Sequence, residues 1–342
     1  MQAVHIHQHG DPEVLVYEAA PEPVPGPTDV LVAVKAAALN HIDLWVRRGL
    51  PRLRLRFPHI LGADVAGVVA GLGDRATGLT VGDEVMVSPG VSCGQCPACI
   101  CGRDTLCDSF SILGEHIPGG YAEFVSVPRV NVLPKPAHLN FEEAAAVPLV
   151  FLTAWNMLVT NGRIRMGETV LIWGAGSGVG SAGVQIARQF GARVIATAGA
   201  DWKLDRAREL GAHEVVNHSE QDVYEEVRRL TNRRGVDVVF DHVGRATWEI
   251  SLRSLARGGR LVTCGATTGA DGTTDIRYIY GRQLAIHGTW VGTKREMLEV
   301  MRFVETGGVR PVVHSVLPLA QAAEAHRMLE RREQFGKIVL VP

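Results

Sequence analysis

The sequence predicts an α/β protein of two units, a β-rich unit followed by a doubly wound parallel sheet. Three observations predict it. The chain has 342 residues, beyond the roughly 250–300 at which a single hydrophobic core stops growing. Short β-branched runs bounded by Gly, Pro and Asp fill residues 1–135, with no helix-period pattern of any length before Phe141. From about residue 150, short apolar runs alternate with helix-period segments, the pattern of right-handed crossovers on a parallel sheet.

In the first unit, Val30–Val34, Val65–Val69 and Glu84–Val87 read as strands. Pro21, Pro23, Pro25 and Pro27 mark an extended surface segment. His5, His7 and His9 alternate on one strand face, expected to face solvent. Phe141–Val159 is expected as a helix. Val170–Trp173 then opens the second unit as a strand buried on both faces. A glycine loop follows it, then a helix to Phe190. Further strands are expected at Arg193–Thr197, Glu214–Asn217, Val236–Asp241, Arg260–Cys264 and Leu284–Thr289. Between them lie a helix capped by Asp201 and running to Leu210, one from Ser219 to Leu230, and one over Ala246–Leu255. Helices at Glu296–Glu305 and Ala320–Arg331 and a strand at Lys337–Val341 read as a return to the first unit. The expected division is 1–150, 151–290 and 291–342.

Hydrophobic residues make up 46% and charged residues 21%, an ordinary globular balance. The net charge of -1 argues against nucleic-acid or membrane-surface partners, although 30 of the 35 basic residues are arginines. Two uncharged stretches, Ala144–Gly162 and Val170–Ala187, are not expected to span a membrane. Pro148 and Asn156 interrupt the first, and glycines crowd the second. The segment MQAVHIHQHG has no basic region followed by an apolar core, so a cytoplasmic location is expected. Thiols stay reduced there, and a cysteine cluster reads as metal-binding before disulfide.

Gly174-Ala-Gly-Ser-Gly-Val-Gly180 follows a strand and opens a helix. Gly174, Gly176, Gly178 and Gly180, with Ser177 and Val179 between them, offer a tight turn and a close backbone approach to a pyrophosphate. Helix N-terminal N–H groups there point at negative charge. The strict G-x-G-x-x-G spacing fails at Val179, but the strand–loop–helix context supports dinucleotide binding. The next strand reaches Ala198 without the acid that holds a ribose 2′-hydroxyl, and Lys203 follows it. NADP(H) is therefore expected over NAD(H). Cys93, Cys96, Cys99 and Cys107 are spaced C-x2-C-x2-C-x7-C, which suits one closed, structural Zn²⁺. Cys101 is spare, and Cys264 reads as a small core residue.

Together with these features, Gly62-Ala-Asp-Val-Ala-Gly67-Val-Val, Val81-Gly-Asp-Glu-Val, Gly119-Gly-Tyr-Ala-Glu123, Leu152-Thr-Ala-Trp155 and Gly336-Lys-Ile-Val resemble the medium-chain dehydrogenase/reductase superfamily over essentially the whole chain. The resemblance implies a GroES-like first domain, a Rossmann second domain, a small-molecule substrate and a homodimer or homotetramer. Zinc alcohol dehydrogenases of that family hold a catalytic zinc at positions matched here by Asn40, by Ala63 in Gly62-Ala63-Asp64, and by Leu149. The resemblance thus implies loss of the catalytic zinc, with an unusual site from His41, Asp43, His59 and Asp64 as the alternative.

Asn40, Asp64 and Leu-Thr-Ala-Trp look like the zinc-free quinone oxidoreductase branch, which usually lacks the four-cysteine lobe. Asn40 is the candidate for orienting the nicotinamide or the substrate oxygen, Asp43 for orienting Asn40 or His41, and His41 for donating a proton. Asp64 completes the candidate catalytic set. Thr153, Val243, Gly265 and Val291 resemble cofactor neighbours. The activity implied is NAD(P)H-dependent reduction of a quinone or enone-like carbonyl. The alternatives are an alcohol or aldehyde dehydrogenase with a rebuilt metal site, and a nucleotide-binding protein without catalysis. Arg52, Arg54 and Arg56 hint at an anionic group, but such alternation is usually a solvated face.

Overall fold

The computed structural model describes residues 1–51 and 53–342, so Arg52 lies outside the described residues. The chain forms two compact units, Met1–Leu149 with Thr293–Pro342, and Val150–Gly292.

The first unit is built on the strand Asp29–Ala38, whose β-branched and small residues suit burial between neighbours. One edge pairs antiparallel with Asp64–Leu72; the other is shared by Phe124–Pro128 and the C-terminal strand Lys337–Val341. Glu84–Val87 and Val132–Pro134 extend one flank of this seven-stranded sheet, and Val313–Pro318 extends the other. A Cβ at Gly67 would stand 2.2 Å from the Ala33 carbonyl oxygen, so this crossing admits only glycine. A small sheet of Leu15–Ala19, Gln2–Ile6 and His59–Ile60 covers the core of Val30, Val32, Leu61, Val65, Tyr121 and Leu340.

Four expectations in this region are corrected. A helix, His41–Arg48, precedes Phe141. Its buried face mixes Leu44 and Val46 with buried Asp43 and Arg47, which erases the apolar period over two turns. Phe141–Val159 is not one helix but Phe141–Ala145, then Pro148–Trp155, then wide π-type turns over Asn156–Asn161. Pro148 has no N–H to continue the first helix. His5 is buried because its strand lies between two others; only His7 and His9, beyond the strand end, are exposed. The strand Val313–Pro318 was not foreseen.

The second unit is a six-stranded parallel sheet in the order Glu214–Asn217, Arg193–Ala198, Thr169–Ile172, Val236–Asp241, Leu255–Thr263, Ala285–Gly288. This 3-2-1-4-5-6 order is the doubly wound dinucleotide-binding topology. Leu171, Ile195, Val216, Val239 and Leu261 fill one side of it. Details differ from expectation here too. Ala200, not Asp201, occupies the cap of the helix Asp201–Glu209, and Asp201 instead accepts from Asn217 Nδ2 at 2.9 Å. The next helix starts at Val223 rather than Ser219, because the Asp222 side chain accepts from Glu225 N at 3.1 Å. The helix expected over Ala246–Leu255 is Trp248–Ser254, and the strand after it already begins at Leu255, its start hidden by Gly258 and Gly259. Ile276–Arg282 is a further helix. Among the described residues, no helix is long and apolar enough to cross a membrane.

Candidate active site

Asn40 stands at the N-terminus of the helix His41–Arg48, and its amide is bonded at both ends. Nδ2 donates to Asp64 Oδ2 at 2.9 Å and to Ala38 O at 3.3 Å. Oδ1 accepts from Lys337 Nζ at 2.5 Å. Lys337 also donates to Asp64 Oδ2 at 2.9 Å, and Asp64 Oδ1 accepts from Leu149 N at 2.8 Å. Asn40, Asp64 and Lys337 are all buried. A lone buried charge is costly, and here one carboxylate meets one ammonium with hydrogen bonds around both. Asn40 keeps only a lone pair of Oδ1 for another partner, because both amide hydrogens are used internally.

Lys337 received no role from the sequence, although it sits in the Gly336-Lys-Ile-Val motif. The available signal was an ammonium opening a strand of otherwise apolar residues, KIVLV. Such a lysine needs a buried partner.

Asp43 binds the backbone rather than the Asn40 amide. Its Oδ2 accepts from Asn40 N at 2.7 Å and from Tyr121 Oη at 3.0 Å, and Oδ1 accepts from Gly62 N at 3.2 Å. Burial pushes its carboxyl up to about 6 despite these donors and Lys337. Burial, then the Asp43 charge, hold the Tyr121 phenol well above its usual range, so it remains a donor. His41 opens the helix half-buried, its ring edge-on to Trp45 at 6.1 Å.

His59 Nε2 lies 3.1 Å from Gly114 O. The set His41, Asp43, His59 and Asp64 does not converge; among the described residues, the one group of such side chains with ligand atoms together is the four cysteines. Ala63 and Leu149 carry no donor side chain. Nearby, Glu115 is buried with no hydrogen bond at Oε2 and with His116 Nδ1 3.5 Å from that oxygen, and burial followed by the Asp43 charge raises the acid to about 7.

In the second unit, the glycine loop joins Thr169–Ile172 to the helix Gly178–Gln189. Ser177 caps that helix, its Oγ accepting from Gly180 N at 2.8 Å and lying 3.1 Å from His242 Nε2. Gly174 has a φ of +59°, and a Cβ at Gly180 would meet Gly174 O at 2.2 Å. The turn therefore admits no side chain at either end, and the first-turn N–H groups have no partner within the helix. This cradle fits a pyrophosphate.

Asp241 organises the adjoining strand end. Its Oδ1 accepts from Val243 N and Gly244 N at 2.8 and 3.2 Å, and its Oδ2 from Thr247 and Ser251 hydroxyls at 2.8 and 2.7 Å. Burial lowers His242, which stays neutral beside Trp173 O at 2.9 Å. Neither role was foreseen. Gly265 packs against His242 O, Thr153 is buried in the helix Pro148–Trp155, and Val291 is buried with a left-handed φ of +54°.

The strand Arg193–Ala198 ends without an acid. Half-buried Lys203 lies with Nζ 5.2 Å from the Trp202 ring centre. Exposed His218 and Ser219, also unforeseen, flank the turn: His218 Nδ1 lies 3.1 Å from Thr197 Oγ1, and Ser219 Oγ donates to Gly199 O at 3.2 Å.

The Sγ atoms of Cys93, Cys96, Cys99 and Cys107 lie within 4.8 Å of one another, with three separations of 3.5, 3.6 and 3.9 Å. A tetrahedral zinc with bonds of about 2.3 Å sets its sulfurs roughly 3.8 Å apart. The spacing fits that ion and exceeds a disulfide bond of about 2.05 Å. Backbone N–H groups of Gln95 and Cys96 pull the Cys93 thiol down to about 6. Cys96 stands at about 11: a backbone N–H from Cys99 lowers it, but desolvation and the neighbouring thiols outweigh that bond. Cys101 is exposed and outside the cluster.

Residues 26–137 match the alcohol dehydrogenase GroES-like domain, and residues 178–306 match the zinc-binding dehydrogenase domain. Over the full length of both chains, the protein is 34% identical to an NAD-dependent alcohol dehydrogenase of Saccharolobus solfataricus. It is 29% identical to a quinone oxidoreductase of Homo sapiens, covering all of this chain and 98% of that one. A solved NAD-dependent alcohol dehydrogenase superposes with a TM-score of 0.97 at 50% identity, covering 100% of each chain. The chain belongs to the medium-chain dehydrogenase/reductase superfamily. It is an NAD(P)-dependent oxidoreductase, with a GroES-like domain and a Rossmann domain.

Proposed function

We propose that the protein reduces a quinone or an enone-like carbonyl with NADPH and uses no catalytic zinc. The observation that carries this is Lys337, an internal cation bonded to both Asn40 and Asp64. Ala63 and Leu149 add no metal donor. When bound, NADPH supplies a hydride from its nicotinamide. Asn40 offers its remaining Oδ1 lone pair to an N–H of cofactor or substrate, which favours positioning over oxyanion stabilisation. Asp43 and Asp64 hold Asn40 in place, and His41 donates the proton. A conjugated acceptor suits such a site because its developing charge is spread out.

Thr153, Val243, Gly265 and Val291 contact the cofactor, with the Gly174–Gly180 loop on its pyrophosphate. NADP(H) is favoured over NAD(H) by the acid-free strand end and Lys203. Cys93, Cys96, Cys99 and Cys107 hold one structural zinc in a reducing, cytoplasmic setting. The strand Ala285–Gly288 is an open sheet edge beside exposed Ile286 and Trp290, which supports pairing of copies into a homodimer or homotetramer.

A second function, alcohol oxidation with a rebuilt metal site, is favoured by the alcohol dehydrogenase relatives. Zinc content and an acceptor panel separate the two. One zinc per chain with NADPH oxidation by quinones or enones supports the first; two zincs per chain with alcohol oxidation overturns it.

A further inference from the structure

Two adjoining cavities in the Rossmann unit share Arg282. The smaller, about 180 Å³, is walled by Tyr224, Arg228, Arg233, Arg234, Arg253 and Arg282. The larger, about 490 Å³, is walled by Arg257, Arg277, Tyr278 and Arg282. Among the described residues, no acidic side chain lines either. Arg233 and Arg234 precede the strand Val236–Asp241, and Ser254, also in the wall, precedes Leu255–Thr263. The smaller cavity therefore opens at the amino edge of the sheet. The glycine loop lies at the carboxyl edge, a strand length or on the order of 20 Å away.

Rings and backbone carbonyls hold three of the guanidinium groups. Arg253 and Arg228 lie 4.3 and 5.5 Å from the Tyr224 ring centre. Arg282 donates to the carbonyls of Arg253 and Leu255 at 3.5 and 2.5 Å and lies 5.2 Å from the Tyr278 ring centre. Asp237 neutralises Arg234, and Asp275 neutralises Arg277. Glu225 and Glu249 approach Arg228 and Arg253 only to 3.9 and 3.7 Å. Among the described residues, Arg233, Arg257 and Arg282 form no ion pair.

Converging like charges raise the energy of the fold unless an anion joins them. Arginine forks pair two N–H groups with phosphate oxygens, and preset forks lose little entropy in doing so. We propose that this arginine cavity binds a polyphosphate anion, a ligand with two or more adjacent phosphoryl groups. The smaller chamber lies below the about 300–1,000 Å³ of ordinary organic-ligand pockets, which suits a phosphate chain. The larger hollow, open to solvent beside Tyr278, leaves room for the nucleoside of a nucleotide.

The test is calorimetric titration of the full-length, zinc-loaded protein, saturated with NADPH, at near-physiological salt. Tripolyphosphate and ADP are titrated separately. Saturable binding of either supports the site, and the tighter ligand tells an inorganic from a nucleotide source. Arg233→Gln with Arg253→Gln should weaken binding by about tenfold or more, through lost charge-assisted bonds, and leave NADPH affinity unchanged. Should that pair misfold, exposed Arg233→Glu alone serves the same purpose. The site is overturned by no saturable binding at millimolar ligand to the NADPH-saturated protein, or by affinity that these substitutions leave intact.

Discussion

The cysteine lobe and the Asn40–Asp64–Lys337 network lie in the same unit and meet one electrostatic problem in opposite ways. The lobe brings four thiols together, and the groups that bond to them are other thiols, the Ser92 hydroxyl and backbone N–H groups. At such separations several thiolates repel strongly, so an added dication completes the group. The network pairs its acid with a lysine of the same chain at 2.9 Å and fills the remaining bonds with an amide. The difference teaches where metal dependence arises. A site whose cation is encoded in the chain is closed by folding; a site without one waits for a metal.

Metal removal tests the contrast with the largest expected effect. Structural zinc in small domains contributes about 10–16 kcal/mol of binding free energy. Chelation should release one zinc per chain and abolish amide-exchange protection across residues 93–107, while protection of the strands carrying Asp64 and Lys337 persists. Protection of the lobe that survives complete metal removal would break the comparison.

The second test removes the internal cation. Lys337→Met keeps the side-chain length but leaves Asp64 buried and unpaired. The expected loss is about 3–5 kcal/mol, read from the denaturant midpoint. Adding Asp64→Asn should restore part of that loss, since the uncompensated charge goes with it. Zinc content should stay at one per chain. A Lys337→Met protein as stable as the parent would mean that the network is solvated and open.

The two regions also differ in how far the sequence revealed them. The four cysteines fall within 15 residues, counting Cys93 to Cys107, so their spacing alone implies a metal geometry. Lys337 and Asp64 are 273 residues apart, and Lys337 and Asn40 are 297 apart. Only the sheet, which inserts the C-terminal strand beside Asp29–Ala38, brings them together. The same logic explains the elements that were missed. His41–Arg48 hides its helical period because its buried face carries Asp43 and Arg47 for polar partners. The parallel strands of the second unit were legible as continuous apolar runs, while their intervening helix starts depended on caps such as Asp222, whose hydrogen bonds no spacing rule displays. Asp241 ends a strand that was legible and His242 follows it, but their partners are backbone groups and hydroxyls that only the folded strand ends supply.

Glu115 sharpens the comparison from a third side, as a buried acid whose basic neighbour is a histidine, His116 Nδ1 lying 3.5 Å from Oε2 with burial lowering the proton affinity of that ring. The acid's folded value of about 7 lies above the usual 4.5, so the folded state holds the proton more tightly than the unfolded chain. That stabilisation is fully present below about 4.5 and is lost as pH rises through about 7. Glu115→Gln is neutral throughout and loses nothing over this window. The stability of the parent relative to Glu115→Gln should therefore fall with rising pH, by up to about 3 kcal/mol. Denaturant midpoints at a series of pH values measure it; a difference that stays flat would show that Oε2 is hydrated.

The smallest expected effect concerns Cys101, which sits inside the spacer of the lobe. Sequence spacing alone permits it to replace Cys99 or Cys107 as a ligand if the register slips. In the folded lobe it is exposed, and the converging sulfurs are those of Cys93, Cys96, Cys99 and Cys107. Cys101→Ser should then keep one zinc per chain and change stability by less than about 0.5 kcal/mol. Cys107→Ser should release the metal, because Cys107 is the buried member and lies 3.5 Å from Cys93. If instead Cys101→Ser released zinc and Cys107→Ser did not, the ligand set would be wrong by one register step. The lobe would still require an external cation, because the substitute ligand would be another thiolate.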